Sequence, residues 1–499
     1  MDFQNLLDGA EVLAQQGNAP VRGLDYDSRR VTPGFAFVAM RGESTDGNRF
    51  IDKAIASGAV AVVTDSAAEP IRDGVAWAVV SHGRRALARL SANFYKHPAE
   101  RLRITGVTGT NGKTTTAFIV EAILRDAGRK NALVGTVEYH LPGRVLPAPH
   151  TTPESLELNQ IFAQAVGLGA TEAVMEVSSH ALYQQRVYGI PFDVAIFTNL
   201  TRDHLDYHVD MEHYFAAKRV LFEGCGTDPP RMAVLNVDDD HGARLVGFSR
   251  LKGSHVLSYG IGRADFHPER LEMTHTGNRF DLVTPAGKVP LFSPLIGKVN
   301  VYNVLAACAA ASARDVSLDE IAAGIEKMSR VPGRFERVDG GQPFAVVVDY
   351  AHTDDALRNL TRLAREFVSA GKGRVITLFG CGGDRDRAKR PLMGQAAGEN
   401  SDFVVLTSDN PRSEDPIAIM NDSLPGLQRS GVKYTIEPDR RKAIALAIAE
   451  ARTGDMVLLA GKGHERTQTT REGVFPFDDF EVAREELQKA GYTAQKAAR

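Results

Sequence analysis

Cysteine is scarce: Cys225, Cys308 and Cys381 are the only three in 499 residues. Three widely spaced thiols supply neither a disulfide framework nor a zinc-ligand spacing, so a reducing compartment is expected, with each thiol packed or incidental. Long apolar runs are absent as well, and Met1-Asp2-Phe3-Gln4-Asn5 carries an acid where a secretory leader carries a basic patch. The expectation is a cytoplasmic protein with no membrane insertion. Neither sign of charge prevails, since 59 Lys and Arg face 62 Asp and Glu for a formal net charge of -3. Without long Lys/Arg runs nothing electrostatic draws the chain to nucleic acid or an anionic membrane, and a small anionic substrate would be met by local arginines. No internal repeat is visible. A chain of 499 residues exceeds what one core organises, and about three domains are expected.

What the chain does contain is a series of short apolar runs, each ending in polar or glycine-rich residues. Near the N-terminus Ala36-Phe37-Val38-Ala39 and Ala59-Val60-Ala61-Val62-Val63 flank a helical Asp52-Lys53-Ala54-Ile55-Ala56, a small α/β unit that closes near Pro98. Further on, Ala173-Val174-Met175 leads into Glu176-Val177-Ser178-Ser179-His180, and Val194-Ala195-Ile196-Phe197 into Thr198-Asn199-Leu200-Thr201-Arg202-Asp203-His204. Beyond Arg334 the apolar runs that begin at Phe344, Arg374, Phe403 and Met456 lead into Asp349-Tyr350-Ala351-His352, Gly382-Gly383-Asp384-Arg385-Asp386-Arg387, Ser408-Asp409-Asn410-Pro411-Arg412 and Gly461-Lys462-Gly463-His464-Glu465. Runs of this kind, alternating with helical segments, predict an α/β fold with parallel sheets, whose ligands bind beyond the carboxyl ends of the strands. The alternating stretch from Gly260 to Pro294 predicts an antiparallel excursion inside the middle domain, and the Ala/Lys-rich residues after Tyr492 read as a frayed tail.

The most specific segment is Ile104-Thr105-Gly106-Val107-Thr108-Gly109-Thr110-Asn111-Gly112-Lys113-Thr114-Thr115. A strand-like run ends in glycines that let backbone N–H groups turn onto a polyphosphate, the following helix presents its positive end, Lys113 can reach the outer phosphates and Thr114 can ligate Mg²⁺. Residues Gly109 to Thr115 are therefore expected to bind ATP. The loop is a variant, because Val107 stands where the general pattern has glycine, between Gly106 and Gly109. Glu176 at a strand end can hold Mg²⁺ or cap a helix, and His204 is as suited to a structural hydrogen bond as to catalysis. Asp349, Asn300 and Asn303 could contact nucleotide or metal, or serve as turn and capping residues. Lys218 reads locally as a solvated helix lysine. The arginines beside acids in the last third suit a zwitterionic amino acid, the guanidinium gripping a carboxylate while the acids receive an ammonium. For Arg387 surface ion pairing is an equal reading, and less so for Arg385 and Arg412.

Taken together these residues resemble the Mur ligases, the ATP-dependent amino-acid ligases of peptidoglycan synthesis. Thr108-Gly109-Thr110-Asn111-Gly112-Lys113-Thr114, Glu176-Val177-Ser178-Ser179-His180, Thr198-Asn199-Leu200 with Asp203-His204, Asn300 with Asn303, Gly333-Arg334-Phe335-Glu336 and Asp349-Tyr350-Ala351-His352 follow the family's order over nearly the whole chain. His150-Thr151-Thr152-Pro153, Gln184 with Arg186, Gly382-Gly383-Asp384-Arg385 and Gly461-Lys462-Gly463-His464-Glu465 are similar to the motifs of members that add the third peptide residue. Asp409-Asn410-Pro411-Arg412 is similar to the motif of those that add meso-diaminopimelate rather than L-lysine. His150 stands where such members often have Asn.

The resemblance implies a three-domain α/β architecture: a UDP-muramoyl-binding domain over 1–98, a central P-loop ATP-binding domain with a parallel sheet over 99–334, and a Rossmann-like amino-acid-binding domain over 335–499. It implies a monomer that joins meso-diaminopimelate to UDP-N-acetylmuramoyl-L-alanyl-D-glutamate at the expense of ATP, through an acyl phosphate. Asn300, Asn303, Arg334 and Asp349 would join the P-loop in holding the nucleotide. Thr114 and Glu176 would hold one Mg²⁺, and His204 with a carbamylated Lys218 a second, with Lys113, Glu176, His204 and Lys218 as the catalytic set. Ser28, Thr151, Thr152, Ser178, Gln184 and Arg186 would hold the muramoyl peptide, and Arg385, Asp409, Asn410, Pro411, Arg412, Gly461 and Glu465 the diaminopimelate. The rival readings are an L-lysine-adding member, a folate polyglutamylating ligase, against which the α/β unit before Pro98 speaks, and a P-loop ATPase that acts as a switch.

Overall fold

In the middle of the chain, aliphatic runs without polar alternation become strands buried on both faces. The computed structural model describes residues 1–492 except Ser44, Asp206, His275, Ser329 and 370–372; the tail after Tyr492 lies outside the described residues. Five strands come first, β1 (Val12–Gln16), β2 (Gly23–Asp25), β3 (Phe35–Ala39), β4 (Ala61–Thr64) and β5 (Ala76–Val80), in the order β1-β5-β4-β3-β2, parallel except at β1. The run read as Ala59 to Val63 is strand from Ala61. Strands β1, β2 and β5 left no separate signal: β1 is mostly exposed at the sheet edge, and β2 has only three residues.

The central sheet takes β6 (Arg103–Thr108), β7 (Asn131–Val134), β8 (Glu138–Leu141), β9 (Arg144–Pro147), β10 (Glu172–Glu176), β11 (Phe192–Phe197), β12 (Met232–Asn236) and β13 (His255–Tyr259), in the order β13-β12-β11-β6-β10-β7-β8-β9. Successive residues serve opposite cores, as a period of two requires: Val194 and Ile196 pack with helices Lys113–Asp126 and Lys298–Ser312, whereas Ala195 and Phe197 pack with helix Met211–Glu223. Helix Leu318–Glu326 comes so close to the P-loop helix that a Cβ on Gly324 would stand 2.9 Å from the Ile123 Cα. The stretch after Gly260 forms the antiparallel sheet β14 (His267–Thr274), β15 (Gly277–Thr284) and β16 (Gly287–Ser293), whose Phe280, Leu282 and Leu291 join the same core as that helix. The expected antiparallel excursion is thus present, as a sheet of its own within one core.

The last sheet repeats the doubly covered plan. Strands β17 (Glu336–Arg337), β18 (Ala345–Asp349), β19 (Val375–Phe379), β20 (Phe403–Leu406), β21 (Lys433–Ile436) and β22 (Met456–Ala460) lie in the order β17-β18-β22-β19-β20-β21, parallel except at β17. A hairpin of β23 (Thr467–Thr470) and β24 (Gly473–Pro476) follows. Among the described residues no helix is long and apolar enough to cross a membrane.

One interaction in this sheet's shell is both buried and fully paired. Arg440, at the start of helix Arg440–Glu450, grips Asp479 through Nε and Nη2 at 2.8 and 2.6 Å, with both side chains 0% exposed. Its Nη1 and Nη2 also donate to the carbonyls of Ser408 and Ala460, at the ends of β20 and β22. Arg440→Met should therefore cost about 3–5 kcal/mol, because the Asp479 charge is left buried alone, and Arg440→Met/Asp479→Leu should regain most of it. Denaturant unfolding of the three proteins checks this; a single variant within about 1 kcal/mol of wild type would remove the pair from the stability of this unit.

Candidate active site

The carboxyl ends of β6, β10 and β11 face those of β18, β19, β20 and β22 across a cavity of about 760 Å³. On its central wall the phosphate-binding loop is held from outside. Thr110 N–H and Asn111 N–H donate to the Asn199 carbonyl and Oδ1 at 2.8 and 3.0 Å, while Thr198 Oγ1 and Asn199 Nδ2 donate to the Asn111 carbonyl at 2.7 and 3.0 Å. Gly112 has φ +88°, and any Cβ there would strike Asn303 Oδ1, so the tight turn into helix Lys113–Asp126 requires glycine. Lys113 folds back, donating to the carbonyls of Gly109 and Thr110 at 2.8 and 2.7 Å, and its burial lowers its pKa.

Beside the loop, Glu176 is 1% exposed. Its Oε2 accepts from the Thr114 and Thr136 hydroxyls, each at 3.0 Å, and its Oε1 from Thr136 N–H at 2.7 Å. A hydroxyl and a carboxylate side by side are the hard oxygen donors that suit Mg²⁺, an ion that keeps waters and phosphate oxygens in its remaining positions. Among the described residues no three His, Cys, Asp or Glu side chains cluster as a self-sufficient metal site. His204, in the left-handed region at φ +54°, lies edge-on to His180 with ring centres 4.8 Å apart. Desolvation in the cleft pushes its imidazole down to about 3 against the pull of Asp203, which leaves the ring neutral at neutral pH.

Lys218 is 1% exposed on helix Met211–Glu223. Its Nζ donates to the Gly109 carbonyl at 2.8 Å and stands 4.5 Å from the centre of the Tyr214 ring. Burial, with Lys113 nearby, drives its pKa well below the ordinary value.

Apart from Ser28, the muramoyl-peptide candidates form one bonded group around β10. Thr152 Oγ1 donates to the Glu176 carbonyl at 2.8 Å and accepts from Ser178 N–H at 3.1 Å, and Ser178 Oγ caps helix Ser179–Tyr183. Thr151 Oγ1 lies 3.1 Å from Thr136 Oγ1. Arg186 donates to the Thr152 carbonyl and to Gln184 Oε1 at 2.9 and 2.7 Å, and pairs with Glu154, which also pairs with Arg84 of the first sheet's shell. Ser28, buried near the first sheet, and Gln184 stand outside the cavity wall, as do Gly109 and Pro411.

On the opposite wall, Arg385 and Arg412 flank Gly382, and Arg412 Nη1 donates to the Gly383 carbonyl at 2.6 Å. Asn410 Nδ2 donates to Glu465 Oε2 at 2.8 Å, and a Cβ on Gly461 would come within 2.9 Å of Asp409 Oδ2. Arg387 instead forms an exposed pair with Asp422 at 3.0 Å. Asp349 accepts Phe335 N–H and Ala351 N–H at 2.7 and 2.9 Å, holding the turn beside Arg334, whose Nη2 donates to Thr114 Oγ1 at 3.1 Å. Asn300 and Asn303 reach the wall bonded to each other at 3.0 Å.

Sequence reasoning passed over Thr136 and Lys389, and took Asp203, Tyr350, His352 and Lys462 only as members of motifs, with no role of their own. Thr136 follows a strand end, the same signal that marked Glu176. The Lys389–Asp203 pair at 3.2 Å has no local signal, because its partners come from different sheets.

With this geometry the class is defined: the chain belongs to the Mur ligase family. Residues 20–95, 107–311 and 333–463 match the family models for the Mur ligase family catalytic domain, the Mur ligase middle domain and the Mur ligase glutamate ligase domain. More particularly, it is 57% identical over 473 residues to the UDP-N-acetylmuramoyl-L-alanyl-D-glutamate--2,6-diaminopimelate ligase of Solibacter usitatus, covering 95% of this chain and 94% of that protein. The ligase of the same name from Geobacillus thermodenitrificans is 47% identical over 94% of this chain and 95% of its own length. A solved structure of a UDP-N-acetylmuramoyl-L-alanyl-D-glutamate--2,6-diaminopimelate ligase superposes with a TM-score of 0.69 at 34% identity, covering 99% of this chain and all of that one.

His464 packs its ring 5.0 Å from that of Tyr350, with its Nδ1 buried without a hydrogen-bond partner among the described residues. Burial, and then the charge of Arg334, push its pKa from 6.5 to about 3. The folded value is depressed, so the unfolded chain binds the extra proton: stability is fully present above 6.5 and is lost as pH falls toward 3. His464→Phe should flatten part of that acid limb, which denaturant unfolding at about pH 7 and about pH 4.5 measures. An unchanged pH slope in the variant would assign the limb to other groups.

Proposed function

We propose that the chain joins meso-diaminopimelate to the D-glutamyl carboxylate of UDP-N-acetylmuramoyl-L-alanyl-D-glutamate, with ATP cleaved to ADP and phosphate, as a monomeric cytoplasmic enzyme without nucleic-acid partners. The observation that carries the reading is the cavity itself: a phosphate-binding loop on one wall faces, on the other, two arginines and a carboxylate suited to a zwitterionic amino acid. The names of the full-length relatives support it. We place the domains at 1–98, 99–334 and 335–499, with the UDP group near Ser28 on the first.

Amide formation from a carboxylate needs a leaving group. A glutamyl carboxylate oxygen attacks the γ-phosphorus, the bond to the β-phosphate oxygen breaks, and ADP departs, leaving an acyl phosphate. Lys113 swings from its loop carbonyls to the phosphates and offsets the charge that repels this anionic nucleophile. Thr114 and Glu176 would hold one Mg²⁺ and His204 with carbamylated Lys218 a second, an ion that when bound neutralises phosphate charge. Arg186, Thr151, Thr152, Ser178 and Gln184 orient the muramoyl peptide, and Asn300, Asn303, Arg334 and Asp349 frame the nucleotide. The diaminopimelate amine then attacks the acyl carbon, the carbon–oxygen bond to phosphate breaks, and the proton lost from nitrogen leaves on the departing phosphate. Asn410, Arg412, Arg385 and Glu465, on a wall made by Asp409, Pro411 and Gly461, hold the amino acid, and closure of the walls keeps water from the acyl phosphate.

The direct test is a mass-spectrometric product assay that offers UDP-muramoyl dipeptide, ATP and a choice of amino acids. A tripeptide product bearing diaminopimelate is expected. ATP hydrolysis with no amide product would favour the switch reading, and a lysine product the lysine-adding one.

On this reading Lys218 is carbamylated, its Nζ adding as the amine to CO₂ with loss of a proton. Lys218→Ala should lower turnover by about 100-fold, and a short carboxylic acid in the medium should restore part of it by supplying the missing anionic oxygens. Full activity in the untreated variant would end the carbamate role.

Arg412, fixed in the left-handed region at φ +52°, should grip the far carboxylate of diaminopimelate, which lysine lacks. Losing a buried charge partner costs about 2–5 kcal/mol, so Arg412→Ala should raise KM for diaminopimelate and narrow the gap to lysine, leaving KM for ATP within about twofold. Parallel kinetics with both amino acids decide it; an unchanged preference would move selectivity to Arg385 and Glu465.

A further inference from the structure

Lys462 carries a buried charge for which neither phosphoryl transfer nor amide formation has a use. Its side chain is 0% exposed in the loop that follows β22. Nζ donates to Asn410 Oδ1 at 3.2 Å and to Glu465 Oε2 at 3.0 Å. The same Glu465 oxygen accepts Asn410 Nδ2 at 2.8 Å, which closes a triangle of three side chains. From the other side, Thr469 N–H in β23 donates to Asn410 Oδ1 at 2.9 Å.

Two consequences follow from donor and acceptor identity alone. The Asn410 amide has one orientation, since a flip would set its NH₂ against an ammonium and a backbone N–H. Glu465 is anchored through Oε2 only; among the described residues Oε1 takes no hydrogen bond, and Glu465 lines the cavity. The ammonium keeps that carboxylate aimed, and it touches no cavity wall itself.

We propose that Lys462 is a positioning residue that sets amino-acid specificity: it locks Asn410 and Glu465 so that one carboxylate oxygen meets the ammonium at the far stereocentre of the incoming diamino acid. This rests on the proposed function. A rigid acceptor reads handedness, because only one configuration brings ammonium to Glu465 and carboxylate to Arg412 together.

The test compares wild type with Lys462→Met and Lys462→Gln, using meso- and L,L-diaminopimelate as separate substrates. KM for the meso form should rise about 10- to 100-fold, as expected when a buried carboxylate and amide lose their donor, and the preference for meso over L,L should shrink. Turnover at saturation should stay within about threefold and KM for ATP within about twofold, a split that a general loss of packing does not produce. Equal changes in all three substrates' KM values, an unaltered isomer preference, or loss of ADP binding by both variants would each assign Lys462 to folding and overturn the proposal. Wild-type kinetics are measured first and test the proposed function alone. If another amino acid proves to be the substrate, that reading fails, while the variants' KM for the amino acid actually used still decides the role of Lys462.

Discussion

The phosphate-binding loop keeps its shape because a neighbouring strand holds it. Thr198 and Asn199, at the end of β11, supply two hydrogen-bond donors and two acceptors to Thr110 and Asn111. They can do so only because β11 lies beside β6 in parallel, with Phe197 opposite Thr108. Gly109 passes so close to this strand end that a Cβ would collide with the Thr198 side chain. Part of the loop's rigidity is thus imported: its Thr110 and Asn111 N–H groups are spent on that strand end, and an anion would be met by the other N–H groups of the loop.

The two walls of the cavity meet through polar contacts. Arg334 reaches Thr114, Asn111 Nδ2 donates to Asp355 at 3.0 Å, and Lys389 pairs with Asp203 at 3.2 Å. On the other side Tyr26 and Arg30 reach Glu157 at 3.1 Å, and Arg84 shares Glu154 with Arg186. Such partly exposed pairs contribute little each and exchange readily with water. They suit units that can move relative to one another.

Inside the last unit two arginines, Arg390 and Arg440, are buried. Arg390, 1% exposed, takes Glu414 at 2.7 Å and Asp422 at 2.9 Å and donates to the Gly382 carbonyl, which steadies the loop that bears Arg385. Arg440 with Asp479 ties the ends of β20 and β22 together. These pairs stand behind the loops that carry the amino-acid candidates, where a fixed backbone matters more than net stability.

Much of this was legible in the residue order. Apolar runs without alternation marked the parallel strands, glycine spacing marked the phosphate loop, and polar clusters at strand ends marked the cavity, because strand period and turn chemistry are local properties. Tertiary structure alone decided the rest. Lys218 looks like any helix lysine until folding buries it against Tyr214, and Arg387 and Arg385, two residues apart, part company only when one faces solvent and the other the cavity. Lys389 with Asp203, Arg440 with Asp479, and Lys462 with Asn410 join residues far apart in the chain. Local sequence specifies backbone conformation, whereas a charge acquires its meaning from desolvation and from partners that only the packed sheets bring within reach.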